Sequence, residues 1–359
     1  MIKSKSKPRL VCNITPVLIM RYLFGFYVNF RVCKMITWLN RLLCICYASF
    51  LFMNIYNWNL FPRTLSKLWD LVEYFIFFLI SFFGKDKFVE KYYEFNPTTD
   101  DLPTSKRLFS KFENVFNSFV VIVSCIKLLT VIPFCILAQS VCVYNIQSRV
   151  AHFIIAAAIF AAQVLPILVF GLLYYRVKGI RTFLETNGFD YSPKRRLSPS
   201  KYMRMYINVF EGWKEIDSSI KFVTLLMFLG TTPKTLLHLY SLLANMKEYG
   251  FDLRGLGWFT MYNLSRILCL IIPVMYVDLV MDEIQTIKVF ILDKRFYCKY
   301  ERLRAEIQEF LDYVNNQPLQ FRICFIMPMN LQWIIMATSF CISTLMAILQ
   351  INYNLSTPN

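Results

Sequence analysis

Asp70 and Glu73 stand three residues apart in the run LWDLVEYFIFFLIS, and Lys234 and Arg266 interrupt two other apolar runs. Three residues is nearly one helical turn, so both carboxylates lie on one face of a helix. A charge at membrane depth costs at least about 2.5 kcal/mol. These side chains must therefore either snorkel to the headgroups or pair with one another. The expectation drawn here is a pair between an acidic residue of that helix and Lys234 or Arg266. Catalysis has no comparable pattern: the chain carries no phosphate-cradling loop, no nucleophile with its base and no paired histidines. His152 and His238 stand alone, and none of the eleven cysteines has metal-ligand spacing. We expect no enzyme, no metal and no cofactor.

Two further patterns are periodic. Ser339, Ser343 and Ala347 recur every four residues, with Gln350 three further on, so they share one face of the last apolar helix. Small groups on such a face permit close helix approach, within one subunit or between subunits, or leave room for water. Phe296, Tyr300, Leu303, Ile307, Phe310 and Val314 are spaced 4, 3, 4, 3 and 4. That is the seam of an amphipathic helix, which packs either on its own subunit or the membrane surface, or in an intracellular assembly domain.

The elements that must position these residues are apolar runs of about twenty residues separated by basic segments. Of the 359 residues, 57% are hydrophobic. Spans are read at 42–58, 68–83, 117–144, 150–175, 222–243, 258–280 and 329–352, which makes the chain an all-α polytopic protein of seven transmembrane helices. A weaker run over 11–30 contains Pro16 and Arg21 and is left outside the membrane. Lys and Arg gather on alternate sides: twenty-nine lie in the segments before span one and after spans two, four and six, against five on the other side. Positive residues stay inside, so the N-terminus is cytosolic and the C-terminus extracellular. The net charge of +16 is then chiefly a topology signal with some attraction to anionic lipid. No nucleic acid is expected, because the basic residues are divided among four membrane-flanking segments. Cysteines in spans and cytosolic segments are expected as free thiols.

This orientation is opposite to that of G-protein-coupled receptors. Their acidic-Arg-aromatic triplet and Asn-Pro-x-x-Tyr signature are also missing, so no G protein is required. Ser343 to Ile351, STLMAILQI, resembles the C-terminal signature of insect gustatory receptors: Thr-Tyr, five hydrophobic residues, Gln, Phe. Aligned on Gln350, Ser343 and Thr344 stand for Thr-Tyr and Ile351 for Phe. RYLFGFYVNF around Gly25 is similar to the family's stretch before helix one, and FVEKYYEF has its look after span two.

The resemblance implies a ligand-gated, weakly selective cation channel, a homotetramer or heterotetramer in which each subunit gives its last helix to a central pore. It implies a gate at Gln350 and Ile351 on the face of Ser343 and Ala347. The implied map is a cytosolic segment over 1–41, helices one to six over 42–283, an amphipathic helix and anchor over 284–328, the pore helix over 329–352 and an extracellular tail over 353–359. Assembly falls to Phe296, Tyr300, Leu303, Ile307 and Phe310. Ligand contacts fall in the outer half of the bundle. They are Trp69, Asp70 and Tyr74 on span two, Gln139 on span three, and His152, Phe153 and Gln163 on span four. His238 lies on span five, and Trp258, Tyr262, Asn263 and Arg266 on span six. The implied partners are a small organic tastant, bitter or plant-derived, membrane lipid, and monovalent or divalent cations. The implied location is the plasma membrane of chemosensory neurons. An odorant-receptor-type subunit needing a co-receptor is the nearest alternative. A small-molecule transporter is a further one, although it would show internal repeats.

Overall fold

The computed structural model describes residues 10–28, 34–57, 65–83, 92–137, 139–189, 198–249, 253–317, 319, 321–323 and 327–356, with side chains described for fewer of them. Nine helices appear among these residues: α1 Thr15–Leu23, α2 Lys34–Asn57, α3 Leu65–Phe82, α4 Pro103–Leu137, α5 Gln139–Asn187, α6 Pro199–Tyr249, α7 Leu253–Tyr297, α8 Glu301–Asn316 and α9 Leu331–Ser356. The antiparallel pair β1 Arg322–Ile323 and β2 Met327–Pro328 joins α8 to α9.

Six helices, α2, α4, α5, α6, α7 and α9, contain stretches long and apolar enough to cross a membrane, which is the build of a multi-pass membrane protein. The remaining expected span, α3, is 18 residues long and carries Lys67, Asp70 and Glu73. At about 1.5 Å per residue it reaches roughly 27 Å, close to the thickness of a hydrocarbon core. α1 has nine residues and is too short to span.

α5 is the axis of the bundle. Within Phe153–Asn187 its most apolar 18-residue window has a mean hydropathy of 2.6 and is 89% buried within the chain, as a helix segment apolar on every side must be. α3, α4, α6 and α7 pack around it. Glycines set two close approaches: a Cβ at Gly171 would lie 2.5 Å from the Phe112 ring, and one at Gly179 would lie 2.6 Å from Ser105 Oγ. Gly25, at φ 80°, makes the turn that ends α1, and the Tyr47 ring leaves no room there for a side chain.

Two boundaries differ from the expected ones. The third span was expected to run to Tyr144 with a loop around Arg149, but α4 ends at Leu137 and α5 starts at Gln139. Gln139 therefore belongs to the start of α5. The stretch QSVCVYNIQSRV has no Gly or Pro, so nothing stops the helix from continuing through it. Likewise α6 and α7, of 51 and 45 residues, run far beyond one bilayer thickness. Much of what the sequence presents as connecting segments is helix projecting past the apolar layer.

That projecting end is knitted by a buried ion pair. Arg176 on α5 donates to both carboxylate oxygens of Asp100, at 3.1 and 2.8 Å, and to the carbonyls of Tyr92 and Glu94 at 3.0 and 3.2 Å. Burial pushes the Tyr92 phenol up to about 12, opposed by the guanidinium over its ring. Tyr93 Oη donates to the Leu168 carbonyl at 2.8 Å, and Val11 N–H to the Tyr93 carbonyl at 3.0 Å. The N-terminal segment is thereby tied to α5 through the chain that follows α3.

The expected seam over 296–314 divides in two, because α7 ends at Tyr297 and α8 begins at Glu301, so Phe296 lies on α7 and Tyr300 just before α8. Ile307, Phe310, Leu311 and Val314 are buried against their own chain, where the Tyr206 ring of α6 meets Phe310 at 6.5 Å and Tyr313 at 6.2 Å. Ile307 and Phe310 are thus buried in the core of their own chain, because α6 extends far enough to cover them. Leu303 is partly buried against the same core, whereas Phe296 and Tyr300 are 73% and 64% exposed. After α8, Phe321 packs between Trp213 and Phe170 at 5.0 and 6.0 Å, and Met329 N–H donates to its carbonyl at 2.8 Å. The hairpin is therefore fastened at both ends.

Removing one member of a buried, hydrogen-bonded pair leaves the other charge stranded at a cost of about 3–5 kcal/mol. Arg176→Met should accordingly lower the thermal unfolding temperature of the detergent-solubilised protein by many degrees, and the double variant Asp100→Leu/Arg176→Met should recover part of it. Equal melting of Arg176→Met and the parent would show that this pair does not hold the projecting end together.

Candidate functional site

Three helices meet at a buried charge cluster. α3 contributes Asp70 and Glu73, α6 contributes Lys234 and α7 contributes Arg266; all four are within 5% of fully buried. Arg266 bridges the two carboxylates, with Nη2 donating to Asp70 Oδ1 at 2.6 Å and Nη1 to Glu73 Oε2 at 3.2 Å. Lys234 Nζ pairs with the same Asp70 oxygen, and Gln163 Nε2 of α5 donates to Glu73 Oε1 at 2.9 Å. Two carboxylates and two cations give a neutral set, the condition under which such groups persist away from water. A planar guanidinium suits the bridging position because its fork reaches two carboxylates at once.

The surrounding backbone is shaped to the cluster. Gly230 and Lys234 lie one turn apart on α6, and a Cβ at Gly230 would sit 2.7 Å from Glu73 Oε1. Only glycine lets the carboxylate lie against the helix at that distance. Trp69, beside Asp70, donates its indole N–H to the Gly230 carbonyl at 3.2 Å. One turn along each helix from the two cations, His238 Nδ1 and Asn263 Oδ1 are 3.2 Å apart, a hydrogen bond whose direction follows the imidazole tautomer. Asn263 is buried and His238 half-buried. The site thus has two polar layers, ionic below and neutral above.

Of the expected ligand contacts, the structure brings together Trp69, Asp70, Gln163, His238, Asn263 and Arg266, together with Glu73 and Lys234. Tyr74 is buried elsewhere: it packs on Phe26, Phe75 and Phe78 at 5.8, 5.5 and 6.4 Å, and its hydroxyl donates to the Phe24 carbonyl at 3.4 Å. Phe153 is half-buried on α5, about three turns from Gln163. Gln139, His152, Trp258 and Tyr262 lie in described helical backbone, but their side chains fall outside the described residues. Lys127 of α4 was not among the expected contacts. Its ammonium lies 5.3 Å from the Phe160 ring centroid and donates to the Ala156 carbonyl at 3.3 Å. A lone lysine in an apolar run gives no sequence cue to the ring it will cover.

On α9, the gate candidates occupy a distinct face. Ser339, Ser343, Ala347 and Gln350 lie at the centre of a broad exposed side that also includes Ile335, Met336, Phe340, Ile342 and Met346, whereas Trp333, Ile334, Ala337, Cys341, Thr344 and Leu345 on the opposite side are buried or half-buried. The side chain of Ile351 falls outside the described residues. An open cleft of about 740 Å³ lies elsewhere, lined by Pro97, Phe183, Lys201 and Arg204 among others. Phe183 is roughly 30 Å along α5 from Gln163, and the cleft walls are largely exposed. The buried cluster is the better-constructed site.

Loss of the guanidinium would leave Asp70 and Glu73 facing each other at the centre of the bundle. Arg266→Leu should cost about 3–5 kcal/mol, read as a fall in unfolding temperature and surface expression. Adding Glu73→Gln should restore part of it. Melting of Arg266→Leu at the parental temperature would remove the cluster as the element that fixes α3 against α7.

No protein-family model matches the sequence, and no curated protein matches it. Solved structures do. The insect olfactory receptor OR5 from Machilis hrabei superposes with a TM-score of 0.70 at 9% identity, covering 94% of this chain and 97% of that one. The same receptor in complex with eugenol superposes with a TM-score of 0.69 at 10% identity over the same shares. The chain therefore has the all-helical fold of an insect olfactory receptor over nearly its whole length.

Proposed function

We propose that this chain is a subunit of a ligand-gated, weakly selective cation channel of the insect chemoreceptor kind, opened by a small organic molecule bound near the charge cluster. The observation that carries this reading is the orientation of α9. Its face of small and polar residues points away from its own subunit, so intrasubunit packing does not account for it. One helix cannot enclose a hole; four copies turned inward can, and water there solvates Gln350. Ile351, beside it, is apolar enough to close such a pore by dewetting. The C-terminal dipoles of four α9 helices would make that mouth negative and favour cations.

In this reading the chain crosses the membrane seven times, with α3 as the second span, the basic segments in the cytosol and the end of α9 outside. The exposed Phe296 and Tyr300 belong to contacts between neighbouring subunits on the cytosolic side. The ligand sits where aromatic area and a few fixed polar groups converge, against His238, Asn263 and the Gln163–Glu73 pair. The eugenol complex of the olfactory receptor lends support to a small, ring-bearing ligand. The tail STLMAILQI favours the gustatory branch, with a bitter or plant-derived tastant and a place in the plasma membrane of chemosensory neurons. A second reading, an odorant-type subunit needing a co-receptor, is favoured by the fold match to an olfactory receptor.

Expressed by itself, with G-protein signalling blocked, the chain should pass cation current when a panel of small organic compounds including eugenol is applied. Substitutions at Gln350 and Ile351 should change conductance or basal opening. Current only on co-expression with a second receptor would favour the odorant-type subunit. A chain that reaches the surface but stays silent in both formats, or unchanged currents for several substitutions at both positions, would overturn the channel.

A further inference from the structure

We propose that Phe228 and Trp333 form the joint through which the charge cluster sets the position of α9; the proposal rests on the reading of α9 as the pore helix. α6 is held between two partners at one level. On its α3 side, Lys234 pairs with Asp70, the Gly230 carbonyl accepts the Trp69 indole N–H at 3.2 Å, and Glu73 lies against Gly230. Phe228 is two residues from Gly230, about 200° around the helix. On that opposite side its ring centroid lies 4.3 Å from that of Trp333 on α9.

Trp333 is itself tightly placed. It is 5% exposed, and its backbone N–H donates to Asn330 Oδ1 at 3.0 Å. The Leu331 N–H at the start of α9 donates to Asp278 Oδ2 of α7 at 2.9 Å. A carboxylate there also answers the positive end of the helix dipole. Farther along α9, Leu345 is the one fully buried side chain among the described residues. α9 is therefore gripped at its first turn by α6 and α7, the two helices that carry Lys234 and Arg266.

The grip lies beside a compliant point of α6. Pro233 has no N–H to offer the Leu229 carbonyl, so the segment bearing Phe228 and Gly230 bends more readily relative to Lys234. A ligand that displaces Trp69 or Glu73 shifts that segment, and close-packed rings pass the shift to Trp333. Gln350 lies 17 residues farther on, about 26 Å away along the helix. A rotation of about 10° at Trp333 then moves it by roughly 4 Å, the scale on which a narrow pore opens. Phe228 and Trp333 act as positioning residues and touch neither ligand nor ion.

Coupling between two places is established by a cycle rather than by adjacency. Cys341 lies on the face of α9 turned toward its own subunit and has a free thiol, so its maleimide labelling rate reads how closely α9 lies there. The full chain in lipid nanodiscs would be labelled and the modification at Cys341 read by peptide mass spectrometry. Trp69→Phe, which removes the indole N–H and keeps a ring, should change the rate about fivefold or more. In a Trp333→Leu background the same substitution should have almost no effect, while Trp333→Phe, retaining an aromatic partner, should restore the response. Phe228→Leu serves as the second background should Trp333→Leu fail to fold.

An unchanged rate for Trp69→Phe in the parent, or an equal change in parent and joint variants, would overturn the joint. Recording current from the same proteins keeps the two claims apart. Silence from all of them counts against the channel, whereas the Cys341 rates decide the joint by themselves.

Discussion

Two carboxylates and two cations inside an apolar bundle must be neutral together. Each alone costs at least about 2.5 kcal/mol at membrane depth; as a set joined through Arg266 they become the contact that locates α3 against α6 and α7. Apolar helices slide past one another at little cost, because one leucine surface in lipid resembles another. A hydrogen-bonded charge set tolerates no such slip, since a shift of one turn would strand every member. Gly230 is a consequence of this constraint, as is the Gln163 amide that completes the Glu73 carboxylate.

Much of this could be read in the sequence, and the part that could not has a physical cause. Asp70 and Glu73 at one-turn spacing, with Lys234 and Arg266 in other apolar runs, called for either snorkelling or pairing, and the structure shows pairing. The sequence could not say that Arg266 would take both carboxylates, because that depends on the rotation of α7 about its own axis. Tyr74 illustrates the opposite limit: one turn from Asp70 on α3, it nevertheless packs against Phe26 and Phe78. Helical periodicity places residues on a face and leaves open which neighbour covers each part of it. Six of the seven expected spans fall in helices long and apolar enough to cross a membrane, as hydropathy alone suggested. Their ends were not legible, because QSVCVYNIQSRV is as content in a helix as in a short loop.

The long helices explain how a chain with so much membrane-embedded surface also builds a substantial body outside the apolar layer. α4, α5, α6 and α7 each continue past it on the same side, and their extensions bury Trp213, Phe310 and Tyr206 in one continuous core with the membrane-depth residues. The part of the seam from Leu303 to Val314 lies on α8 with Ile307, Phe310 and Val314 buried, but the periodicity held no information about the break after Tyr297 or about whether α6 would reach it. Once α6 is 51 residues long, Ile307 and Phe310 have an intrasubunit partner. What remains exposed is the aromatic start of the seam, Phe296 and Tyr300, set beside Lys294, Arg295 and Lys299.

α9 poses the reverse problem, that of a helix with too little of its own chain around it. Trp333 and Leu345 are its fully buried side chains among the described residues, and its outward side is centred on Ser339, Ser343 and Gln350. A helix meeting only lipid gains nothing from serine and glutamine there, because each unsatisfied polar group in hydrocarbon costs several kcal/mol. A helix packed wholly against its own subunit would turn those groups inward, and α9 does the opposite. The arrangement is favourable when that face meets water or other polar groups, which at membrane depth requires further chains to exclude the lipid. The same residues that make α9 a poor solitary helix thus make it a suitable wall for an aqueous path, and the tight contacts at Trp333 give that wall a fixed end.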